Sequence, residues 1–563
     1  MTNADIAEFF TMLSRLMDLH GEDAFKAKSY SIAAYHIEQL ERDLSAMTDS
    51  DIRDSKGIGA STAAKIREIL DTGALTQLTE SINRTPTGVL DIMQIKGLGP
   101  KKVRTIWKEM GIESVGELEY ACNENRLAAF KGFGQKTQEA VLQNISFLRA
   151  NQGFQLWASV EKTAEAWVQK LRVSFPRSRF ELCGAIPRQL EVVSQIEILT
   201  DLPEHTLPQI WAKAPGISMV PDAEYHTLLV SFGDGINVLF RFVTPEKLYH
   251  ELFRYNAEPS FLHAFEERFP IPEQLAAEAD IFSAHQLQFI PVPMRESASV
   301  LDLAVQHALP ECVTEKDIRG LIHCHSRWSD GQETIETMAQ HAIGKGWEYM
   351  VITDHSQSAY YAGGLKPADV AAQHQEVDAL NAGLDGRFRI YKSIESDILN
   401  DGSLDYEPAV LQTFDLVIAS IHSNLKMSPE KAMQRLLTAI QNPYTNIMGH
   451  LTGRLLLSRE GYPVDHKMII DACADYDVAI EINAHPRRLD LDWRWVGYAL
   501  ERGVLLSINP DAHALAGFDD VYYGCKVAQK AGLTKEHNLS SFGRDRLEKF
   551  IESQHRKRNL QAL

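Results

Sequence analysis

The chain has 563 residues, 44% of them apolar and 24% charged, with a net charge of −19 at neutral pH. That length implies three or four domains. No apolar run is long enough to span a bilayer, and so acidic a balance argues against tight DNA binding over the whole surface, because phosphate neutralisation needs cations. The amino-terminal stretch lacks the basic and apolar regions of a signal peptide, and the six cysteines contain no CxxC pair. Both features point to a reducing cytoplasm without a structural zinc ribbon.

Residues 1–85 read as a small helical domain, since 6–19 and 24–40 have helical apolar spacing. Between the helices that follow lies Lys56-Gly57-Ile58-Gly59, an apolar residue between two glycines, as in a helix-hairpin-helix turn. The glycines permit a tight turn and close backbone approach, and the next helix offers free N–H groups to a phosphate. The pattern recurs in a second region, 86–150, as Lys96-Gly97-Leu98-Gly99-Pro100-Lys101 and as Lys131-Gly132-Phe133-Gly134-Gln135-Lys136. One copy is as well explained as a packing turn. Three copies, each with lysine at the phosphate end, point to DNA-backbone binding without sequence preference by Gly57, Gly59, Gly97, Gly99, Lys101, Gly132, Gly134 and Lys136.

This layout resembles the amino-terminal part of family X DNA polymerases: a lyase-type domain over 1–85, a fingers-like region over 86–150, and a palm and thumb over 151–295. In that lyase domain a lysine after the first hairpin forms a Schiff base with deoxyribose phosphate, and Lys65 occupies the matching position. The other reading of Lys65 is a solvated helix lysine. The family's palm carries Gly-Ser-x-Arg-Arg, then Glu, then two metal-binding aspartates. Here Gly184, Arg188 and Glu191 keep the register, but Ala185 replaces the serine, and Gln195 and Glu197 replace the aspartates. The third carboxylate falls at Leu239, and the family's Thr-Gly-Ser turn falls at 255–260, where that sequence is missing. Two-metal transfer needs carboxylates at these places, so the resemblance implies a palm that keeps its fold and has lost polymerase activity. A shifted alignment would instead make Glu191 or Asp234 a ligand. The proline-bearing stretch 270–293 and residues 296–317 read as a linker.

From residue 318 onward, apolar runs end repeatedly in metal-capable side chains. Leu321-Ile322 leads into His323-Cys324-His325, with Asp330 in the next loop; later runs end at His355, Glu395, His422 and His450, and a last one at Asp511-Ala512-His513. Helical stretches such as 334–345 and 429–441 separate them. Strand–helix alternation of this kind predicts a parallel sheet or barrel whose strand carboxyl ends converge. A lone His-x-His pair is as readily two satisfied polar residues. The whole series points to a divalent-metal cluster, and its many imidazoles favour zinc, manganese or iron over magnesium or calcium. Cys324 alternates to the opposite side and reads as core. Arg454, Arg459 and Arg488 are candidates for gripping phosphate or for surface ion pairs, and His485 is a proton donor or a bystander.

These motifs resemble the PHP (polymerase and histidinol phosphatase) superfamily across most of a domain spanning 318–563. The resemblance implies a distorted (β/α)7 barrel. It would hold up to three divalent metals on His323, His325, Asp330, His355, Glu395, His422, His450, Asp511 and His513, with Glu395 as the bridging ligand, and would hydrolyse phosphoesters. The expected architecture is multidomain α and α/β: helix-hairpin-helix domains, a degenerate nucleotidyltransferase-like α+β palm, and the barrel. Three functions are compatible with it. The first is a 3′–5′ exonuclease or DNA end-processing enzyme with a silent palm. The others are a small-molecule phosphatase with a vestigial DNA-binding half, and a non-catalytic DNA-binding scaffold.

Overall fold

The computed structural model describes all residues except 41, 124–125, 152, 212–215, 233–234, 385 and 562–563. The chain forms two compact units, 1–152 and 153–563.

The first unit is helical. Its opening helix, Asn3–His20, starts at a capping box in which Thr2 and Asp5 satisfy each other's backbone N–H groups, and it stops at Gly21, whose φ of 68° suits glycine. Ile6, Phe10, Leu13 and Met17 recur at three- and four-residue spacing and are buried on one face. They begin one apolar core that also takes in Ile37, Ile66, Ile92, Val103, Leu118 and Ile145. The expected regions 1–85 and 86–150 therefore share a single core, because short helices bury their apolar stripes only against one another.

The three glycine turns are built alike. Gly57, Gly97 and Gly132 have φ of 77°, 87° and 94°. The N–H of the next residue (Ile58, Leu98 or Phe133) donates to the carbonyl of Ser55, Ile95 or Phe130. Ile58 and Leu98 are buried and Phe133 packs against the same core, while all six glycines are exposed together with Lys101 and Lys136. The apolar residue anchors each turn and leaves the glycine backbone facing solvent. Helices Ala60–Thr72 and Pro100–Lys108 begin without a side-chain cap, so their first-turn N–H groups are open to an outside acceptor.

The second unit opens with a mixed sheet of five strands: β1 (Phe180–Cys183), β2 (Gln195–Thr200), β3 (Ile217–Asp222), β4 (Thr227–Phe232) and β5 (Asn237–Phe242). Their spatial order is β1-β2-β5-β4-β3, with β2 and β5 parallel. Helix Trp157–Ser174 packs on this sheet through Val160, Ala164 and Val168. Residues 296–317 are not a free linker. Helix Val300–Val305 inserts Leu301 and Ala304, at helical spacing, into a core of Phe253, Phe261, Phe265 and Phe282. Buried Arg295 pairs with Glu278 at 2.7 Å beside it. The prolines bound these short elements and do not disperse them.

The barrel strands are β6 (Gly320–Ile322), β7 (Tyr349–Ile352), β8 (Arg389–Asp397), β9 (Leu416–Ser420), β10 (Ile447–Met448), β11 (Ala479–Asn483) and β12 (Leu506–Asn509). They lie in chain order, each parallel to the next. The ring nearly closes where the His325 N–H donates to the Ala512 carbonyl at 2.9 Å and the Ala512 N–H to the His323 carbonyl at 3.3 Å. Alternation along the strands sorts the residues. Ile322, Val351, Tyr391, Ile418, Ile447 and Ala479 pack with Leu547 and Phe550 of the carboxyl-terminal helix Arg544–Gln561. Two or four residues further along the same faces come Ser393, Glu395, Ser420, Glu481 and Asn483, all buried. The barrel interior is thus apolar at the strands' amino ends and polar at their carboxyl ends.

Sheet and barrel are locked together. Trp157 stacks on Tyr522 with ring centroids 6.3 Å apart, and the Tyr522 hydroxyl donates to Glu161 at 2.7 Å. Arg188 makes two hydrogen bonds to Glu296, at 2.7 and 2.8 Å, and Lys530 Nζ donates to the Arg188 carbonyl at 2.6 Å. Burial pushes the Lys530 ammonium down to about 8, against the pull of Glu296.

Candidate metal centre

Glu395, at the carboxyl end of β8, sits at the middle of the polar basin. Its Oε1 lies 3.3, 3.1 and 2.9 Å from the Nε2 atoms of His323, His422 and His450. Its Oε2 lies 3.0 Å from His355 Nδ1 and 3.6 Å from His325 Nε2. Asp511 Oδ1 is 3.4 Å from His323 Nε2 and 3.2 Å from His325 Nε2. Asp330 reaches in from the loop after β6, 3.5 Å from His355 Nε2 and 3.4 Å from His513 Nε2. The structure therefore brings together all nine side chains expected from the sequence. Their donor atoms include three tight groups: His325, Asp330, His355 and His513; His323, His325 and Asp511; His355, Glu395 and His422.

These residues fit divalent metal. Donor atoms about 2.1 Å from a shared cation sit about 3.0–3.4 Å apart, the range of most separations above. His323 Nε2, His325 Nδ1, His355 Nδ1, His450 Nδ1 and Glu395 Oε2 are buried without a hydrogen-bond partner, a costly condition in a protein interior. His323 and Asp511 hold left-handed backbone, with φ of 66° and 53°, strain that surrounding bonds sustain at the two closing strand ends.

Three acids that sequence reasoning did not single out support this set. Glu481 on β11 accepts from the side-chain amides of Asn483 and Asn509, at 2.9 and 2.8 Å, and from the His450 backbone N–H at 3.0 Å. It also meets His323 Nδ1 at 2.5 Å, which turns Nε2 toward Glu395. Asp397 does the same for His422, with Oδ1 2.5 Å from Nδ1, while the Ser358 hydroxyl donates to its other oxygen at 2.7 Å. Asp354 accepts from the Ser326 N–H and from the hydroxyls of Ser326 and Ser329, anchoring the loop that carries Asp330. The signal for Glu481 was its inward parity with Ala479; nothing local distinguished Asp397 or Asp354.

Charge balance follows from this crowding. Burial, reinforced by the neighbouring His513 and His355 imidazoles, pushes His325 down to about 3. Burial also opposes charge on His355 and His422, yet Glu395 lifts them to about 10 and about 9, aided by Asp330 and Asp397 respectively. Burial would raise the Glu395 and Asp511 carboxyls, but the imidazoles around them hold both well below the usual carboxylate range. Protons on histidine here fill the place in the charge balance that a cation takes on binding.

The three arginines part company. Arg488 lies at the basin, its Nε 3.3 Å from Asp511 Oδ2. Arg454 is corrected to a structural role: Nε donates to the Arg488 carbonyl at 2.8 Å, Nη2 to the Leu489 carbonyl, and Nη1 to Asp492 at 2.6 Å. Arg459 donates twice to the Gly453 carbonyl, at 2.9 and 2.7 Å. Irregular loops present carbonyls that need donors, and these two guanidinia supply them. His485 is held below its usual value by burial, and its Nδ1 accepts from the Arg487 N–H at 3.2 Å. Lys65 is half-buried on helix Ala60–Thr72.

In the palm, the register pairs Glu197 on β2 with Leu239 on β5. Glu197 accepts from Arg241 Nε at 2.9 Å and from Nη2 at 2.5 Å, and the guanidinium lies over the Tyr255 ring at 4.3 Å. Gly184 holds left-handed backbone, with φ of 74°, which suits glycine, and a Cβ there would stand 2.5 Å from Glu197 Oε1 and displace the carboxylate. Ala185 packs against the sheet core, and Gln195 is two residues before Glu197 on the same face of β2. Glu191 is not available as a metal ligand: it is buried, 3.2 Å from Arg494 and 3.9 Å from Arg454. Asp234 lies outside the described residues.

Three family models match the chain: a helix-hairpin-helix domain over residues 1–75, a SAM-like helix-hairpin-helix tandem over 89–144, and a PHP domain over 322–485. A probable phosphatase of Thermoanaerobacter sp. (strain X514) is 27% identical over 37% of this chain and 84% of its own length. The solved histidinol phosphate phosphatase of Lactococcus lactis aligns with 39% of the chain and 95% of its own, at 20% identity and a TM-score of 0.31. The DNA polymerase/3'-5' exonuclease PolX of Bacillus subtilis is 32% identical over 96% of this chain and 97% of its own length. A likeness of that extent runs through hairpins, palm and barrel alike, and the chain belongs to the PolX family, the family X DNA polymerases that carry a carboxyl-terminal PHP domain.

Proposed function

We propose that this protein shortens or trims DNA from 3′ ends in its PHP barrel, a metal-dependent phosphoesterase, while its polymerase palm is silent. The observation that carries the reading is the convergence of imidazoles on both oxygens of Glu395. Glu395 and the eight side chains around it would hold up to three divalent ions, manganese, zinc or iron. Such ions lower the pKa of water towards about 7 and polarise phosphoryl oxygens. Arg488 is the group of this chain placed to grip a substrate phosphate, and His485 is the neighbouring imidazole for a departing oxygen. Glu481 and Asp397 orient His323 and His422. The exposed hairpin glycines, with Lys101 and Lys136, bind the DNA backbone.

In the palm, Gln195 has no charge, Leu239 has no ligand atom, and the carboxylate of Glu197 is already neutralised by Arg241. Two-metal nucleotidyl transfer needs several free carboxylates, so no nucleotide addition is expected. Lys65 is assigned the lyase amine; borohydride trapping on an incised abasic site should yield a covalent adduct in wild type and none in Lys65→Ala, and failure to trap removes the assignment.

A 5′-labelled strand, alone and as a primer on a template, tests the main reading in Mn²⁺ with and without nucleotides. Wild type should give a ladder of shortened products and no extension, and His323→Ala should give neither. Extension would overturn the silent palm. An intact strand together with phosphate release from small phosphomonoesters would replace the DNA reading by the phosphatase one.

A further inference from the structure

We infer that Glu191 of the palm is a positioning residue for the barrel's phosphate grip; the inference rests on Arg488 binding phosphate, as proposed above. Arg488 belongs to the irregular turn after β11, and its reach to Asp511 depends on how that turn is held. The Arg487 carbonyl accepts from the Leu456 N–H at 2.6 Å, and the Asp490 carbonyl from the Asn483 N–H at 2.6 Å. Leu489 stands in left-handed backbone, with φ of 44°, so the turn is strained where it carries Arg488. The carbonyls of Arg488 and Leu489 themselves have one common donor, the guanidinium of Arg454.

Arg454 is in turn set by two carboxylates. Asp492, from the same turn, meets it at 2.6 Å, and Glu191, from the palm, at 3.9 Å. Arg494 shares both acids, 3.2 Å from Glu191 and 2.9 Å from Asp492. The result is a balanced cluster of two guanidinia and two carboxylates, in which Glu191 is the member from outside the barrel. Glu191 is 7% exposed, so its charge acts with little solvent screening. Its backbone is fixed as well, because its carbonyl accepts from the Trp157 N–H at 3.0 Å. Without this carboxylate, Arg454 and Arg494 share Asp492 alone and repel each other. Arg454 then loosens its hold on the Arg488 and Leu489 carbonyls, and Arg488 loses its fixed aim. A palm that no longer adds nucleotides still braces the loop that binds substrate.

Titration of inorganic phosphate into the manganese-loaded full chain tests this without turnover. Arg488→Ala should weaken phosphate binding about 10-fold or more, the effect of losing a charge-assisted hydrogen bond. Glu191→Gln should weaken it several-fold in the wild-type background, Glu191→Asp should recover most of the loss, and Glu191→Gln should change binding less than about twofold when Arg488 is already alanine. Equal losses in both backgrounds, or none in either, overturn the brace, as does a wild type that binds no phosphate. Should Glu191→Gln fail to fold, Arg454→Lys, whose single ammonium cannot hold both the Arg488 and Leu489 carbonyls, takes its place in the same cycle. A wild type that leaves DNA intact but shows the coupling refutes the exonuclease reading alone; one that shortens DNA without the coupling refutes the brace alone.

Discussion

Glu395→Gln is expected to stop DNA hydrolysis and to strip the barrel of metal. The side chain keeps its shape, but both oxygens serve different sets of imidazoles, and an amide offers one neutral oxygen and an N–H. An N–H beside His355 or His450 opposes the cation instead of holding it. Loss of such charge stabilisation, several kcal/mol, corresponds to a rate fall of about 10³-fold or more. Cleavage of a labelled strand and metal content by atomic emission, measured on the same preparation, check it. Full activity with full metal content would remove Glu395 from the centre of the site. Chelation of the wild type should reproduce the variant's inactivity, and added manganese should reverse it in the wild type only.

Glu481 carries the second large effect. It touches the site through His323 and the His450 backbone and, by way of the Asn483 amide, reaches Asp511, and it satisfies four buried donors. Glu481→Ala leaves the Asn509 amide and the His450 backbone N–H unpaired, leaves the Asn483 amide with Asp511 alone, and removes a buried charge partner, a change of about 3–5 kcal/mol in stability. Glu481→Gln keeps an acceptor but frees the His323 ring, and activity and metal affinity should fall about 10–100-fold with the fold retained. Thermal unfolding separates the two variants: the alanine form melts earlier, while the glutamine form melts near the wild type. A glutamine form with unchanged metal affinity would mean that His323 is aimed by packing alone.

Eight of the nine basin residues were legible because each stands at or just past the end of an apolar run, with Asp330 in the loop after the first of them, and parallel strands send their carboxyl ends to one face. Asp397 lies in the run that carries Glu395, and Glu481 in a run of its own, but both escaped, since alternation gives the face of a strand and not the depth at which a side chain meets a neighbour. Arg454 and Arg459 were misjudged for a related reason: nearness to a strand end does not reveal that loop carbonyls have taken a guanidinium's donors. In the palm, the substitutions at Gln195, Glu197 and Leu239 were visible as letters, but the Arg241 partner was not, because pairing across β2 and β5 is a long-range register. The supposed linker held its own clue in Leu301 and Ala304, three residues apart on one helix face.

The pairing of Glu197 with Arg241 also constrains how this palm can change. A three-carboxylate centre at the family's positions would require an acid at 239, an acid at 195 and the departure of Arg241. Removing the arginine first strands a half-buried carboxylate, a change of about 3–5 kcal/mol for a fully buried pair. Introducing the acids first gathers negative charge around a guanidinium that then becomes harder to remove. Each single step leads to a less stable or more firmly blocked chain, so no path of tolerated single substitutions leads from this palm to a three-carboxylate centre.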